Sequence, residues 1–455
     1  MLRRHTPASG ADIGFVGIAR AAAPLYLTSV AGTAAALVDT AVLGHHATVS
    51  LAAYAVAMAV FGPVVAAASG AVRGLLPFAA ERGEQPEALR SAVQDGLWLA
   101  LVVGSTGGAL VAATTLFGAG AGVPEATLSH LGWLPLLLGA SVLAVSIGSA
   151  ATSVLIGLGL RKPVMRAGLA GTVTAVMLSP ALVAGIGPLP ATGLTGVGVA
   201  MLAANCVNAG LAHRAVIRCG PIAGRPVFLG RPRPRDILSI SRVGVPLAGT
   251  VLIKFAALGL IAMAAARMGV DTAAVHSISI SVSNVVFVAA TSVGQAIIPL
   301  TANGAASGDG AVVRHSVRAG LLVAAAAVVG FAVALLLTGN SAIAMFTSDP
   351  VVSDAVAARL PLVLLVILTD SVQVVVGFAL IGIKRTTSSL ATFALCYGLL
   401  SLAAVPVADR AGLKGLWLAM ALTNVALTAG QGYALVRRTG RAPGARACRV
   451  DGSVP

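Results

Sequence analysis

Two stretches decide the fold: RAAAPLYLTSVAGTAAALVDTAVL at residues 20–43 and RVGVPLAGTVLIKFAALGLIAMAA at residues 242–265. Each is a nearly unbroken apolar run longer than the roughly 20 residues that carry a helix across a bilayer's hydrocarbon core. They also match each other at an offset of 222, the distance from Pro24 to Pro246. At that offset Arg20 meets Arg242, Leu25 meets Leu247 and Thr28 meets Thr250. Further on, Ala67 and Ala68 meet Ala289 and Ala290, and Pro77 meets Pro299. An alanine-rich chain yields alanine matches by chance, but not two prolines, an arginine and a threonine in register. Similarity returns with small shifts: Leu155-Ile156-Gly157 resembles Leu380-Ile381-Gly382, GLTGVGVAM at 193–201 resembles GLKGLWLAM at 412–420, and Asn205 then meets Asn424.

Working outward, apolar runs recur along the whole chain. Hydrophobic residues make up 57% and charged residues 10%, with a mean hydropathy of +0.95. A soluble surface needs about a quarter charged residues, so most of this chain's outer surface faces lipid. Runs bounded by charged or turn residues predict twelve spans: 14–43, 51–78, 92–117, 129–158, 164–186, 193–215, 238–266, 273–300, 314–338, 355–382, 388–407 and 413–436. The expected fold is all-α integral membrane, with twelve transmembrane helices in two parallel six-helix repeats forming two lobes. Six is an even number, so both repeats enter the membrane in one direction, related by an axis along its normal. The expected organisation is an N-terminal lobe at 1–213, a basic cytoplasmic linker at 214–237, a C-terminal lobe at 238–436 and a disordered basic cytoplasmic tail at 437–455.

Basic residues set the orientation. With the N-terminus inside, 25 of the 30 Lys and Arg lie in inner segments. Only Arg267, Arg359, Arg410 and Lys414 lie outside, and Lys254 is within a span. The positive-inside rule then places both termini in the cytoplasm and the protein in the cell inner (plasma) membrane. The net charge of +15 thus marks topology and anionic membrane lipids as neighbours, with no nucleic-acid partner. Cys206, Cys219, Cys396 and Cys448 lack paired or metal-type spacing, so four free thiols are expected. The first apolar span is too long for a cleavable signal and reads as a signal anchor.

A charge at the bilayer centre costs about 2.5–3.5 kcal/mol on insertion scales, so intramembrane ionisable residues mark function. Asp39 lies late in helix 1, Asp370 in mid-helix 10 and Lys254 in helix 7. Asp39 and Asp370 are candidate ion-coupling sites. Lys254 reads as a counter-ion, an anion-binding group or a snorkelling side chain. Helical spacing puts Gln373 on the face of Asp370, aligns Tyr26, Ser29 and Thr33 on helix 1, and aligns Ser277, Ser281 and Asn284 on helix 8. Such residues either line a substrate cavity, as expected here for Tyr26, Lys254, Ser277, Asn284 and Gln373, or bond helix to helix. Pro24 and Pro246 sit at matching points of helices 1 and 7 and are candidate helix-bending positions.

Enzyme signatures are missing. None of the four lysines precedes Ser or Thr, which excludes a Walker P-loop, and neither GxSxG nor HExxH occurs. No catalytic residue, metal site or cofactor is expected, and H+ or Na+ is the expected coupling ion. A duplicated bundle suits alternating access about a midplane site. The expected activity is export of small organic substrates by a monomer. A flippase for lipid-linked precursors and a non-transporting membrane receptor or scaffold are the alternatives.

The string Pro24-Leu-Tyr-Leu-Thr followed by Leu37-Val-Asp-Thr-Ala-Val-Leu-Gly44-His45 resembles helix 1 of the multidrug and toxic compound extrusion (MATE) family, and VDTAVLGH its DinF branch. Ala274-Val-His-Ser-Ile278 with Asn284 is similar to that family's helix 8, GLTGVGVAM to its helix 6, and Asp370-Ser-Val-Gln373-Val-Val-Val-Gly377 to helix 10 of the NorM branch. The resemblance implies a V-shaped pair of six-helix lobes and cation-coupled multidrug efflux, or xenobiotic export. It puts Asp39 on the family's helix 1 aspartate, the proposed proton or sodium site, and Asp370 on its helix 10 acid. The chain departs from the family pattern in helix 5, where Ala175 and Ser179 replace an asparagine and an aspartate. It departs again in helix 7, where Lys254 replaces the glutamate of NorM-type members. Both changes remove negative or polar character, which implies a neutral or anionic natural product as cargo.

Overall fold

The computed structural model describes residues 14–120, 124–185, 191–219, 221–224, 229–338 and 349–440. The helices long and apolar enough to span a bilayer are α1 (Phe15–His46), α2 (Thr48–Arg73), α3 (Pro86–Ala112), α4 (Leu134–Gly157), α5 (Arg161–Ala184), α6 (Leu194–Cys219), α7 (Pro234–Arg267), α8 (Val270–Ala306), α9 (Gly310–Thr338) and α10 (Leu360–Gly382). A last helical stretch, Thr386–Thr439, is interrupted at Gly412, whose φ of 60° and ψ of −158° are non-helical. Glycine adopts a positive φ without the Cβ clash that penalises other residues, so it can part α11 (386–411) from α12 (413–439). These helices make a multi-pass membrane protein.

The boundaries refine the expected spans. The expected 92–117 becomes α3 followed by a short helix, Thr114–Gly120, and the expected 355–382 becomes α10 preceded by Pro350–Ala357. Two more short helices, Leu76–Glu81 and Glu125–His130, flank α3 and α4. Arg437 and Arg438 continue α12. The rest of the expected tail, 441–455, lies outside the described residues, as does Cys448. Cys206 and Cys396 are free thiols.

The chain forms two compact units. One comprises Ala21–Gly259, the other Leu260 onward with the first residues of α1. In the first, α4 is central, packed on α2, α3 and α6, while α5 lies on α6. Lipid tails are as apolar as side chains, so close backbone approach rather than the hydrophobic effect drives these contacts. Where α3 crosses α4, a Cβ on Gly108 would lie 2.6 Å from the Gly139 carbonyl oxygen. In the second unit α10 is central, against α8, α9, α11 and α12.

Candidate functional site

Asp39 lies in the second half of α1, within the first unit. It is 3% exposed, and its Oδ1 has no hydrogen-bond partner. Ser179 of α5, fully buried, stands beside the carboxyl, and its Oγ likewise makes no hydrogen bond of ordinary geometry. Tyr54 of α2 is near enough to feel the carboxylate's charge and is itself 5% exposed, in an apolar cluster with Leu43, Ala57, Phe61, Leu194 and Val197. Ala175, one turn before Ser179, is buried and adds no polar atom. The site is therefore a carboxylate beside the Ser179 hydroxyl, with Tyr54 within electrostatic reach, in an otherwise apolar wall. A buried polar atom without a partner costs about 1–3 kcal/mol, more when charged. Ser179 follows from the departure in helix 5. Tyr54 was not singled out in the sequence, because a tyrosine in an apolar span reads as packing.

Other first-unit candidates are less enclosed. Tyr26 and Lys254 are partly buried, as are Pro24 and Pro246, which lie inside α1 and α7. The hydroxyls near the prolines bond back to their own helices. Thr28 donates to the Pro24 carbonyl at 2.9 Å, Ser29 to Leu25 at 3.1 Å, and Thr250 to Leu247 at 2.7 Å.

In the second unit α8 sorts its polar residues by face. Ser277, Ser281 and Asn284 are exposed together, whereas His276 and Ser279 are buried. His276 meets Trp417 of α12 edge-on, with ring centroids 5.8 Å apart. Gln373 is committed to helix packing: its amide donates to Gln431 Oε1 at 3.1 Å, and the Gln431 amide donates to Ser389 Oγ at 2.7 Å. Tyr397 donates to Asn424 Oδ1 at 3.2 Å and stacks on Phe393. Asp370, partly buried, lies close enough to Tyr397 to act on it electrostatically. Trp417, Asn424 and Gln431 recur every seven residues, two turns apart, so one face of α12 carries all three contacts. Of these, only Asn424 drew notice in the sequence, through its match to Asn205.

One residue changes its reading. Arg233, counted above with the topology-setting arginines, forms a two-pronged ion pair with Asp95 of α3, Nη2–Oδ2 at 2.6 Å and Nε–Oδ1 at 3.2 Å. Asp95 is 1% exposed. In the sequence it lies at the start of the expected 92–117 span.

The MatE family model matches residues 246–407. The chain is 26% identical to the probable multidrug resistance protein NorM of Aromatoleum aromaticum, over 84% of this chain and 83% of that one. It is 25% identical to the multidrug resistance protein NorM of Vibrio cholerae, over 90% and 93%. Its fold matches a MOP superfamily transporter from Pyrococcus furiosus with a TM-score of 0.84, at 18% identity, over 96% of this chain and 99% of that one. The helical architecture, the likeness to the NorM proteins over most of the chain and the MatE match over 246–407 agree: the chain is similar to transporters of the MATE family.

Proposed function

We propose that this protein exports small organic compounds by alternating access, driven by protons that enter through Asp39. The observation that carries this reading is the buried Asp39 Oδ1 without a partner, flanked by Ser179 and Tyr54. A hard cation is held by about six oxygens, whereas beside Asp39 stands the Ser179 hydroxyl, with Tyr54 within electrostatic reach. A proton needs only the carboxylate. Protonated from outside, Asp39 becomes a neutral acid that the apolar wall tolerates. When the proton leaves inward, the carboxylate returns and the cycle resets. Each proton crossing about 100 mV releases about 2.3 kcal/mol.

In this reading Asp370 serves as a second coupling acid, and Tyr26, Lys254, Ser277 and Asn284 line the cargo path. Pro24 and Pro246 let α1 and α7 bend. The protein works as a monomer with both termini in the cytoplasm. Lys254 favours neutral or anionic cargo. The test is export from proteoliposomes under an imposed pH gradient. Asp39→Asn, monodisperse in detergent, should lose gradient-driven export entirely; full activity in that variant would sink the assignment.

A further inference from the structure

Asp39 lies nearly two turns before the end of α1 at His46, about 10 Å along the helix axis, and it is closed off from water. A proton from the medium therefore needs a route to it. Joined at Ala47, α1 and α2 cross the membrane in opposite directions, and Gly44 of α1 meets Leu51 of α2, where a Cβ would lie 3.7 Å from the leucine Cδ2. Counting away from that contact, Asp39 and Tyr54 lie at about the same depth. One turn nearer the start of α2, on the Tyr54 face, is Ser50, also buried. The Ser50 Oγ and His130 Nε2 share a hydrogen bond at 3.3 Å. His130 ends the short helix Glu125–His130, and it is exposed. A titratable ring at the surface thus touches a buried hydroxyl one turn above the tyrosine that feels the Asp39 charge.

All of these residues belong to the unit Ala21–Gly259. The wall around them is apolar: Leu43, Ala53, Leu131 and Leu134 form one cluster with Tyr54, and Leu51 and Leu128 pack on it. Leu128 also closes against Gly118, where a Cβ would lie 2.6 Å from its Cδ2. Hydrocarbon carries no protons, so hydroxyls in such a wall are the groups that can. The elements packed against the His130 helix are chiefly α2 and Thr114–Gly120. The titratable residues of α2 are Tyr54 and, at its far end, Arg73; Thr114–Gly120 has none; Glu125, exposed, lies on the His130 helix itself.

We propose that His130 is the outer proton port of Asp39, with Ser50 and Tyr54 as the relay between them. This rests on the proton-driven reading of Asp39 and on the arginine-derived orientation, which puts this end of α1 and α2 outside the cell. Imidazole takes and gives protons near neutral pH, and a hydroxyl can give one proton as it takes another. The imidazolium N–H bond breaks as its proton binds Ser50 Oγ. Ser50 passes its own proton to Tyr54 Oη, and Tyr54 passes its own to an Asp39 oxygen. An imidazolium and a carboxylate become an imidazole and a carboxylic acid, and both hydroxyls are restored. A small turn of Tyr54 toward Ser50, the direction in which helical side chains lean, completes the line.

The test follows proton uptake by the full-length protein in lipid nanodiscs after a stopped-flow drop in pH, with a pH-indicator dye. The Asp39 proton is the difference between a protein and the same protein carrying Asp39→Asn. In His130→Gln and in Ser50→Ala that proton should arrive severalfold more slowly while its final amount stays the same. Ser50→Thr, which keeps a hydroxyl, should match the parent. A packing defect would change the amount, whereas a broken relay changes the rate alone. His130→Gln that loads Asp39 at the parent's rate overturns the relay and leaves proton-driven export standing. If Asp39→Asn subtracts nothing from the parent's uptake, the relay and the proton reading fall together.

Discussion

The two repeats share a plan but place their buried polar groups differently. At the offset of 222, Asp39 of the first repeat falls on Ile261 of the second, and Tyr54 falls on His276. Ile261 is fully buried, so the second repeat closes with a methyl-rich side chain the place where the first keeps an acid. Deeper in the bundles the pattern reverses. Aligning Leu155 with Leu380 puts Gln373 on Gly148, and aligning Gly193 with Gly412 puts Gln431 on Ala212. In the first repeat those positions are small: a Cβ on Gly148 would lie 3.3 Å from Ala209, and Ala212 is fully buried. In the second they carry the Gln373–Gln431–Ser389 chain of hydrogen bonds. One bundle is closed by small residues and keeps an acid with a free oxygen. The other is tied by amides that satisfy each other. Duplication supplied the frame, and divergence left the buried acid with an unpartnered oxygen in the first repeat.

Variants that trade features between the repeats sharpen this comparison. The largest effect is expected from Ile261→Asp, which puts the first repeat's acid into the second. No hydroxyl is shown beside Ile261 as Ser179 is beside Asp39, and an uncompensated buried charge costs about 3–5 kcal/mol. Thermal unfolding in detergent should show severe destabilisation. A variant as stable as the parent would mean that the second repeat holds a concealed polar site of its own. Next is Gln431→Ala. It strands the Gln373 amide and the Ser389 hydroxyl, at about 1–3 kcal/mol, and should lower the unfolding midpoint while leaving cargo selectivity unchanged. A change in selectivity instead would move Gln373 from packing to the cargo path. The smallest effect belongs to Tyr54→Phe. Losing the Tyr54 hydroxyl removes a polar group that interacts electrostatically with Asp39, so pH-driven export should fall by up to about tenfold with stability retained. If export is unaffected, Tyr54 is packing only, like the core residues around it.

Much of the site was legible because lipid makes anomalies conspicuous. Asp39, Asp370 and Lys254 stand out in apolar runs, and the helix 5 departure pointed to Ser179. Tyr54, His276 and Trp417 were not legible, since aromatic residues in a span satisfy the apolar pattern whether or not they touch a polar neighbour. Gln373 was placed on the face of Asp370 by periodicity, but its partners Gln431 and Ser389 are 58 and 42 residues apart from their bonded mates, beyond anything helical spacing reports. Arg233 and Asp95 are 138 residues apart, and each alone looked like an ordinary charge near a span end.

What the sequence determined by itself was the membrane-spanning helices, the duplication and the acids that stand in oil, because backbone hydrogen bonding without water forces helices of bilayer length and charge in hydrocarbon is costly enough to be rare. Which oxygen is left without a partner, which glycines let backbones touch and which arginine finds a buried carboxylate were decided only when the helices packed. Those outcomes depend on distances of a few ångströms between residues far apart in the chain, and a hydropathy pattern records how deep a residue sits but not whom it meets.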